Sequence, residues 1–232
     1  MKKLKVIISG GGTGGHIFPA IAIAIAIEKK VKDMEFLFVG AEDRMEMEKV
    51  PNAGYKIIGL WISGLQRKLD KRNLLFPFKV LHSIWNANKI VREFDPDLAI
   101  GTGGYASAPL LYAAAKKGVP ALIQEQNSYP GITNKILAKY VQKICVAYDN
   151  MQRFFPLDKM IVTGNPIRED ILGFDIQKEK AQIKFKIDKK KHTVLVLGGS
   201  LGALTINNAI AESLSQIKDM NVNLIWQTGV SY

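Results

Sequence analysis

One cysteine and three histidines are the whole supply of thiol and imidazole metal ligands in this chain of 232 residues. A single thiol, Cys145, excludes a disulfide framework, and no Cys/His spacing offers a metal cluster. Cys145 stands in the apolar run "KICVAY", which reads as a strand with the thiol as a small buried hydrophobe. Long apolar runs are missing too. After the basic start "MKKL" come only "VII" and then glycines, too little for a signal-peptide core. The next run, Ile17 to Ile27 ("IFPAIAIAIAI"), has eleven residues, where a bilayer span needs ~20. A cytoplasmic protein is the expectation. Acidic residues are the third shortage, 21 against 32 basic ones, which leaves a net charge of +11. Such an excess calls for an anionic partner, nucleic acid or a membrane surface. Nothing resembles zinc-finger spacing, an RNP-like aromatic run or a basic zipper helix, so nucleic acid is left unsupported.

What the chain does have is alternation. Strand-forming runs fall at 4–9, 35–40, 56–60, 97–101, 120–124, 143–148, 160–164, 193–198 and 223–229. Helical stretches lie between them, near 17–31, 43–50, 74–93, 107–117, 131–140, 149–155 and 203–217. This order predicts an α/β protein with parallel sheets and helices on both faces. The run "AIAIAIAI" alternates like a strand, but it follows a glycine loop and is half alanine, so a fully buried helix is expected.

Three strand ends share one design: "VIIS" runs into "GGGTGGH", "LAIG" into "TGGYASAP" and "VLVLG" into "GSLGA". In a parallel sheet such loops lie at the carboxyl edge, where ligands bind. Glycine lets the backbone approach a ligand closely, and the following helix points its free N–H groups at it. Phosphate suits this arrangement. A boundary is expected near residue 164, giving domains 1–164 and 165–232, with residues 175–192 as a charged connection. The second domain, opening at 193, then has room for two strands and one helix, so it reads as incomplete.

Gly10, Gly12 and Gly15 satisfy G-x-G-x-x-G, with Glu42 and Asp43 after the second strand where an acid would hold a ribose. A nicotinamide dehydrogenase is therefore one reading. A sugar-nucleotide or polyanion-binding module without turnover is another. A Walker lysine is absent.

The segments "GGTGGHIFPA", "GTGGYASAP", "QEQNSYPGITNK", "TGNPIR" and "GGSLGA", in this order and spacing, closely resemble the MurG family of bacterial N-acetylglucosaminyltransferases. The resemblance implies a GT-B architecture of two Rossmann-like domains. It also implies inverting, metal-independent and cofactor-free transfer from UDP-N-acetylglucosamine to lipid I, an undecaprenyl-diphosphate-linked acceptor, which forms lipid II. The place implied is the cytoplasmic face of the inner membrane, with peripheral attachment to an anionic surface. Carried over by motif, Thr13, Gly14, Gly15, Asn127, Arg168 and Ser200 are implied to bind the donor. The first two glycine loops, with Gly103 and Gly104 in the second, are suited to the acceptor's diphosphate. Where the family often has histidine before "EQN", this chain has Gln124, and nothing matches the later segment that grips uracil and ribose.

His16 ends the first loop. It is a candidate general base, since imidazole titrates near neutral pH, or else a packing or capping residue. Glu125 is the other candidate base; its alternative role is to hydrogen-bond nearby backbone and hold "EQN" in place. Asp95-Pro96-Asp97 has the D-x-D form of metal-dependent transferases of another architecture, but it precedes a strand and so reads as a turn at the amino edge. Residues 65–92 carry seven Lys/Arg (67, 68, 71, 72, 79, 89, 92) against Asp70 alone. There Leu74, Phe78, Leu81 and Trp85 form one helical stripe, expected to be core. Leu75, Phe76 and the basic neighbours are left as a membrane-docking patch.

Overall fold

Successive side chains of a strand point to opposite faces, and in β1 (Leu4–Gly10) both faces are apolar. Val6 and Ile8 enter one core cluster, while Ile7 enters another. A strand buried on both sides needs helices on both sides, and so it belongs inside a parallel sheet. The computed structural model describes residues 3–64, 75–168, 174–199, 202–229 and 232, and it has this construction.

Seven parallel strands make the sheet: β1, β2 (Met34–Ala41), β3 (Lys56–Leu60), β4 (Leu98–Gly103), β5 (Ala121–Glu125), β6 (Lys143–Val146) and β7 (Met160–Val162), in the order β3-β2-β1-β4-β5-β6-β7. Helices α1 (Gly14–Lys30) and α2 (Glu46–Asn52) supply Ile17, Ala20, Ile21, Ala24 and Val50 to the core with Val6 and Ile8. Helices α3 (Phe76–Phe94), α4 (Ser107–Lys116) and α5 (Ile132–Leu137) supply Ala87, Ile90, Val91, Leu110, Leu111 and Leu137 to the core with Ile7. The chain runs outward from β1 through β2 to β3 and then returns to place β4 on the other side of β1. That reversal opens a crevice at the carboxyl ends of β1 and β4. Gly10 stands opposite Gly103 there, after a register shift between Ser9 and Gly10.

The chain divides into two compact units, Met1–Arg168 and Glu169–Tyr232, four residues past the boundary expected at 164. The second unit holds α6 (Phe174–Lys184), α7 (Leu204–Glu212), α8 (Leu214–Asp219) and a two-stranded parallel sheet, β8 (Thr193–Leu197) with β9 (Asn223–Gln227). Buried Asn207 ties α7 to this sheet. Its amide donates to the Thr228 carbonyl at 2.8 Å, and its oxygen accepts the Trp226 indole N–H at 3.1 Å.

Several expectations are corrected. Residues 175–192 are not merely a connection, because α6 occupies most of their first half. The stretch 149–155 is a single 3₁₀ turn at Met151–Arg153, and 203–217 is two helices parted at Ser213. Helix α1 is a helix as expected, but beyond Ala24 its outer face is only half-buried at Ile25 and Ile27. Cys145 is half-buried rather than buried, and burial still raises its thiol pKa.

The largest correction concerns α3. Phe78, Leu81 and Trp85 are 67%, 67% and 64% exposed; Leu74 lies outside the described residues. The core face of α3 is instead Ser83, Ala87, Ile90 and Val91. Two stripes run along this helix, and on the inward one Ala87, Ile90 and Val91 share a core cluster with Leu110 and Leu111 of α4. The bulky stripe is left to solvent.

Candidate active site

The first glycine loop is held from beneath by a residue that carries no motif. Glu46, fully buried at the start of α2, accepts the Gly12 N–H at 2.9 and 3.1 Å and the Ala41 N–H at 3.0 Å. A Cβ on Gly11 would stand 2.1 Å from Glu46 Oε1, so only glycine clears the carboxylate there. The Gly12 amide is therefore engaged, and an anion already sits under the loop. That is a poor seat for a dinucleotide pyrophosphate, so the G-x-G-x-x-G reading loses its central amide. Glu42 and Asp43, its ribose-binding residues, are exposed at the end of β2. The open donors lie one step further on. Thr13 is the N-cap of α1, with extended backbone (φ −147°, ψ 158°) and no side-chain cap hydrogen bond. The amides of Thr13, Gly14 and Gly15 precede the first intrahelical bonds, His16 N–H and Ile17 N–H to the Thr13 carbonyl. Three amides, a hydroxyl and the positive end of a helix of 17 residues thus meet at one place, an arrangement suited to an anion.

The second loop locks onto the first. Gly103 and Gly104 have φ of +101° and +84°, and a Cβ on Gly103 would come within 2.8 Å of His16 Nδ1. Just before them, buried Thr102 donates its hydroxyl to the His16 carbonyl at 2.7 Å, and its own carbonyl lies 3.0 Å from His16 Nδ1. The imidazole thus rests on the end of β4, with Gln126 Oε1 at 3.1 Å as a second neighbour of Nδ1. Nε2 has no hydrogen-bond partner among the described residues.

The third element is the loop after β5. Glu125 is buried, and four donors converge on it: Asn127 N–H and Nδ2 on Oε1 at 3.0 Å each, Gly131 N–H and Asn134 Nδ2 on Oε2 at 3.2 and 2.9 Å. These four bonds tie the carboxylate to the segment 127–134, the arrangement that the holding role would use. Asn127 is exposed, and its main-chain and side-chain nitrogens are both held by Glu125. Gln124 is buried and turned inward to Asn165 and Gln126. Asn165, from "TGNPIR", returns a bond from Nδ2 to the Gln126 carbonyl at 3.3 Å. Three residues on, the Arg168 guanidinium lies 5.4 Å from the Phe18 ring of α1.

The structure thus brings Thr13, Gly14, Gly15, His16, Gly103, Gly104, Glu125, Asn127 and Arg168 into the first unit, most of them at the carboxyl ends of β1, β4 and β5. Ser200 lies outside the described residues. Asp95 and Asp97 are at the opposite edge, where Asp95 ends α3 with φ +51° and Asp97 accepts the Lys5 N–H at 2.9 Å. Glu46, Thr102 and Gln126 were not singled out in the sequence. Glu46 sits among other acids in "EDRMEMEK", where no period distinguishes it.

Residues 6–146 match the glycosyltransferase family 28 N-terminal domain. Two similar proteins are the UDP-N-acetylglucosamine–N-acetylmuramyl-(pentapeptide) pyrophosphoryl-undecaprenol N-acetylglucosamine transferases of Christiangramia forsetii and Cytophaga hutchinsonii. The first is 56% identical over 99% of this chain and 63% of that protein, and the second 57% identical over 100% and 63%. The chain spans about 63% of the length of these relatives. The crystal structure of Acinetobacter baumannii MurG superposes with a TM-score of 0.68 at 26% identity, covering 97% of this chain and 68% of that one. A parallel sheet clothed by helices on both faces fits the α/β GT-B fold of these proteins. With a matched domain over most of its first unit, the chain belongs to glycosyltransferase family 28.

Proposed function

We propose that this chain is the acceptor-side part, with the opening of the donor-side part, of an inverting N-acetylglucosaminyltransferase. The sugar moves from UDP-N-acetylglucosamine to the muramoyl hydroxyl of lipid I, making lipid II. The names of relatives at 56–57% identity support the substrates. The observation that carries the chemistry is His16, held through Nδ1 at the junction of two glycine loops with Nε2 unengaged.

In this reading Nε2 takes the proton of the acceptor hydroxyl as its oxygen attacks the anomeric carbon. The bond from that carbon to the UDP oxygen breaks, and UDP leaves with the electron pair. The anion seat at Thr13–Gly15, with Gly103 and Gly104 beside it, holds the acceptor's diphosphate. Asn127, Arg168 and Ser200 serve the donor, where a guanidinium and helix N-termini stabilise the leaving diphosphate. Glu125 keeps Asn127 in place.

Among the described residues, no helix is long and apolar enough to cross a membrane. Docking falls to α3. Phe78, Leu81 and Trp85 project from it with Leu75 exposed beside them, and Lys79 and Lys89 stand on the same helix. This reading departs from the patch expected at Leu75 and Phe76: Phe76 is half-buried, the anchors are the residues expected as core, and the basic residues at 67, 68, 71 and 72 lie outside the described residues. We place this face of α3 against the anionic inner surface of the cytoplasmic membrane, where the lipid-linked acceptor resides. Nucleic acid has no place in this reading.

Kinetics of His16→Ala, in a chain spanning the full length of the relatives, test the assignment. A general base supplies about 10²–10⁴ in rate, so kcat falls about 100-fold or more while KM for UDP-N-acetylglucosamine stays near its parent value. Near-normal turnover removes His16 from the chemistry. Calorimetric binding of NAD(H) in preference to UDP-N-acetylglucosamine would overturn the transferase reading itself.

A further inference from the structure

We infer that the buried pair Gln124 and Gln126, acting with the Thr102 carbonyl, holds the tautomer of His16, keeping the proton on Nδ1 so that Nε2 is the nitrogen left with a free lone pair. The inference rests on His16 as the base and explains how the fold prepares it.

The assignment follows from groups whose polarity is fixed. The Thr102 carbonyl, 3.0 Å from His16 Nδ1, can only accept. Gln126 is ambiguous by itself, since its amide can present oxygen or nitrogen to the ring. Its other side removes the ambiguity. Three oxygens surround the Gln126 nitrogen: the Thr102 carbonyl at 2.8 Å, the Gln124 carbonyl at 3.2 Å, and Gln124 Oε1. Turning the amide over would set its oxygen against all three, so Nε2 faces them and Oε1 faces His16 at 3.1 Å. Gln124 is oriented in turn. Its nitrogen donates to the Glu125 carbonyl at 3.3 Å and to Asn165 Oδ1 at 3.4 Å, and Asn165 is set by donating to the Gln126 carbonyl at 3.3 Å. Polarity therefore passes from main-chain carbonyls through Gln124 and Gln126 to the imidazole. Both neighbours of Nδ1 are acceptors, so Nδ1 carries the proton in the neutral ring.

This gives Gln124 a purpose that its position in the motif did not reveal. It is buried and contacts Gln126 rather than His16, as one of the groups that decide which way Gln126 points. Gln126 is a positioning residue, acting through His16. Both are buried, so water does not compete for these bonds, and an uncharged relay holds the tautomer without adding a second anion beside a diphosphate site.

The test is the nitrogen-15 imidazole spectrum of the folded 232-residue chain, whose three histidines are distinguished by a His16→Asn control. The expected spectrum has neutral His16 protonated on Nδ1. Gln126→Leu removes one of the two acceptors at Nδ1 and raises the share of the Nε2–H tautomer, with the Thr102 carbonyl left as the remaining acceptor. In a chain of the relatives' full length, Gln126→Leu lowers kcat about 10-fold, a share of the general-base effect, with KM for UDP-N-acetylglucosamine nearly unchanged. Should Gln126→Leu fail to fold, Gln124→Met removes one of the three oxygens that orient the Gln126 amide and shifts the tautomer in the same direction by a smaller amount. A parent ring protonated on Nε2, or tautomer populations that neither substitution moves, would overturn the inference. An Nδ1–H ring together with normal turnover by His16→Ala upholds the inference and instead removes the base reading.

Discussion

A side chain on Gly104 would place its Cβ 2.3 Å from the carbonyl oxygen of Gly11, so the second glycine loop touches the first backbone to backbone. Gly104 also has φ +84°, where an L side chain is strained. Gly104→Ala therefore combines strain with a clash against main chain that has no rotamer to yield. It is expected to destabilise the first unit by roughly 2–4 kcal/mol. Hydrogen exchange of amides in β1 and β4 measures this, and unchanged protection would mean that the loops separate without cost.

Glu46 makes a parallel case. Removing its carboxylate leaves the Gly12 and Ala41 amides without their acceptor in a buried place. Glu46→Ala should cost about 2–4 kcal/mol, the scale of losing charge-assisted bonds and leaving buried donors unpaired. The loss should concentrate in the first loop, with faster exchange of the Gly12 amide than of amides in β6. Uniform loosening of the unit would deny Glu46 a specific hold on the loop.

Donor binding provides the third expectation. Arg168→Ala and Ser200→Ala, each in a chain of the relatives' full length, should weaken the affinity for free UDP as well as for UDP-N-acetylglucosamine. The common part of the two ligands is the uridine diphosphate, and a guanidinium contact to a phosphate is strong and directional. Calorimetric titration with UDP reads this directly. If UDP affinity holds and only acceptor kinetics change, the diphosphate has been placed on the wrong residues.

The fourth concerns α3. Phe78 and Trp85 are each about two-thirds exposed, and full burial of such a side chain contributes roughly 1.5–3 kcal/mol. The protein should sediment with anionic vesicles at low salt and be released as salt rises, since the Debye length is roughly 8 Å at physiological ionic strength. Phe78→Ser or Trp85→Ser should weaken vesicle binding about tenfold or more, by the loss of ~1.4 kcal/mol or more. Transfer to a water-soluble acceptor analogue should be unaffected. Phe76→Ser should matter less, because Phe76 is already half-covered by protein. Vesicle binding that none of the three substitutions alters would make the apolar stripe an ordinary exposed face.

By itself the sequence determined every strand and the fold class. Short continuous apolar runs between glycine loops and helices call for a parallel sheet covered on both faces, and the nine strands of the described residues lie where those runs do. It also marked His16 and the glycine loops, because glycine clusters and a lone histidine at a helix start are local signals, whereas "EQN" was marked only by the family resemblance. Tertiary structure decided what depends on which groups meet. The period along α3 is equally good for two stripes, and only packing against α4 chose Ala87 and Val91 over Phe78 and Trp85. Nothing in "EDRMEMEK" separates Glu46 from its neighbours until Gly12 and Ala41 converge on it from β1 and β2. Glu125, read as base or brace, is tied as a brace would be, by donors up to nine residues away. The polarity of the His16 ring rests on Thr102 and Gln126, 86 and 110 residues distant in the chain. Hydrogen-bond direction is a property of assembled partners, and no spacing in one dimension encodes it.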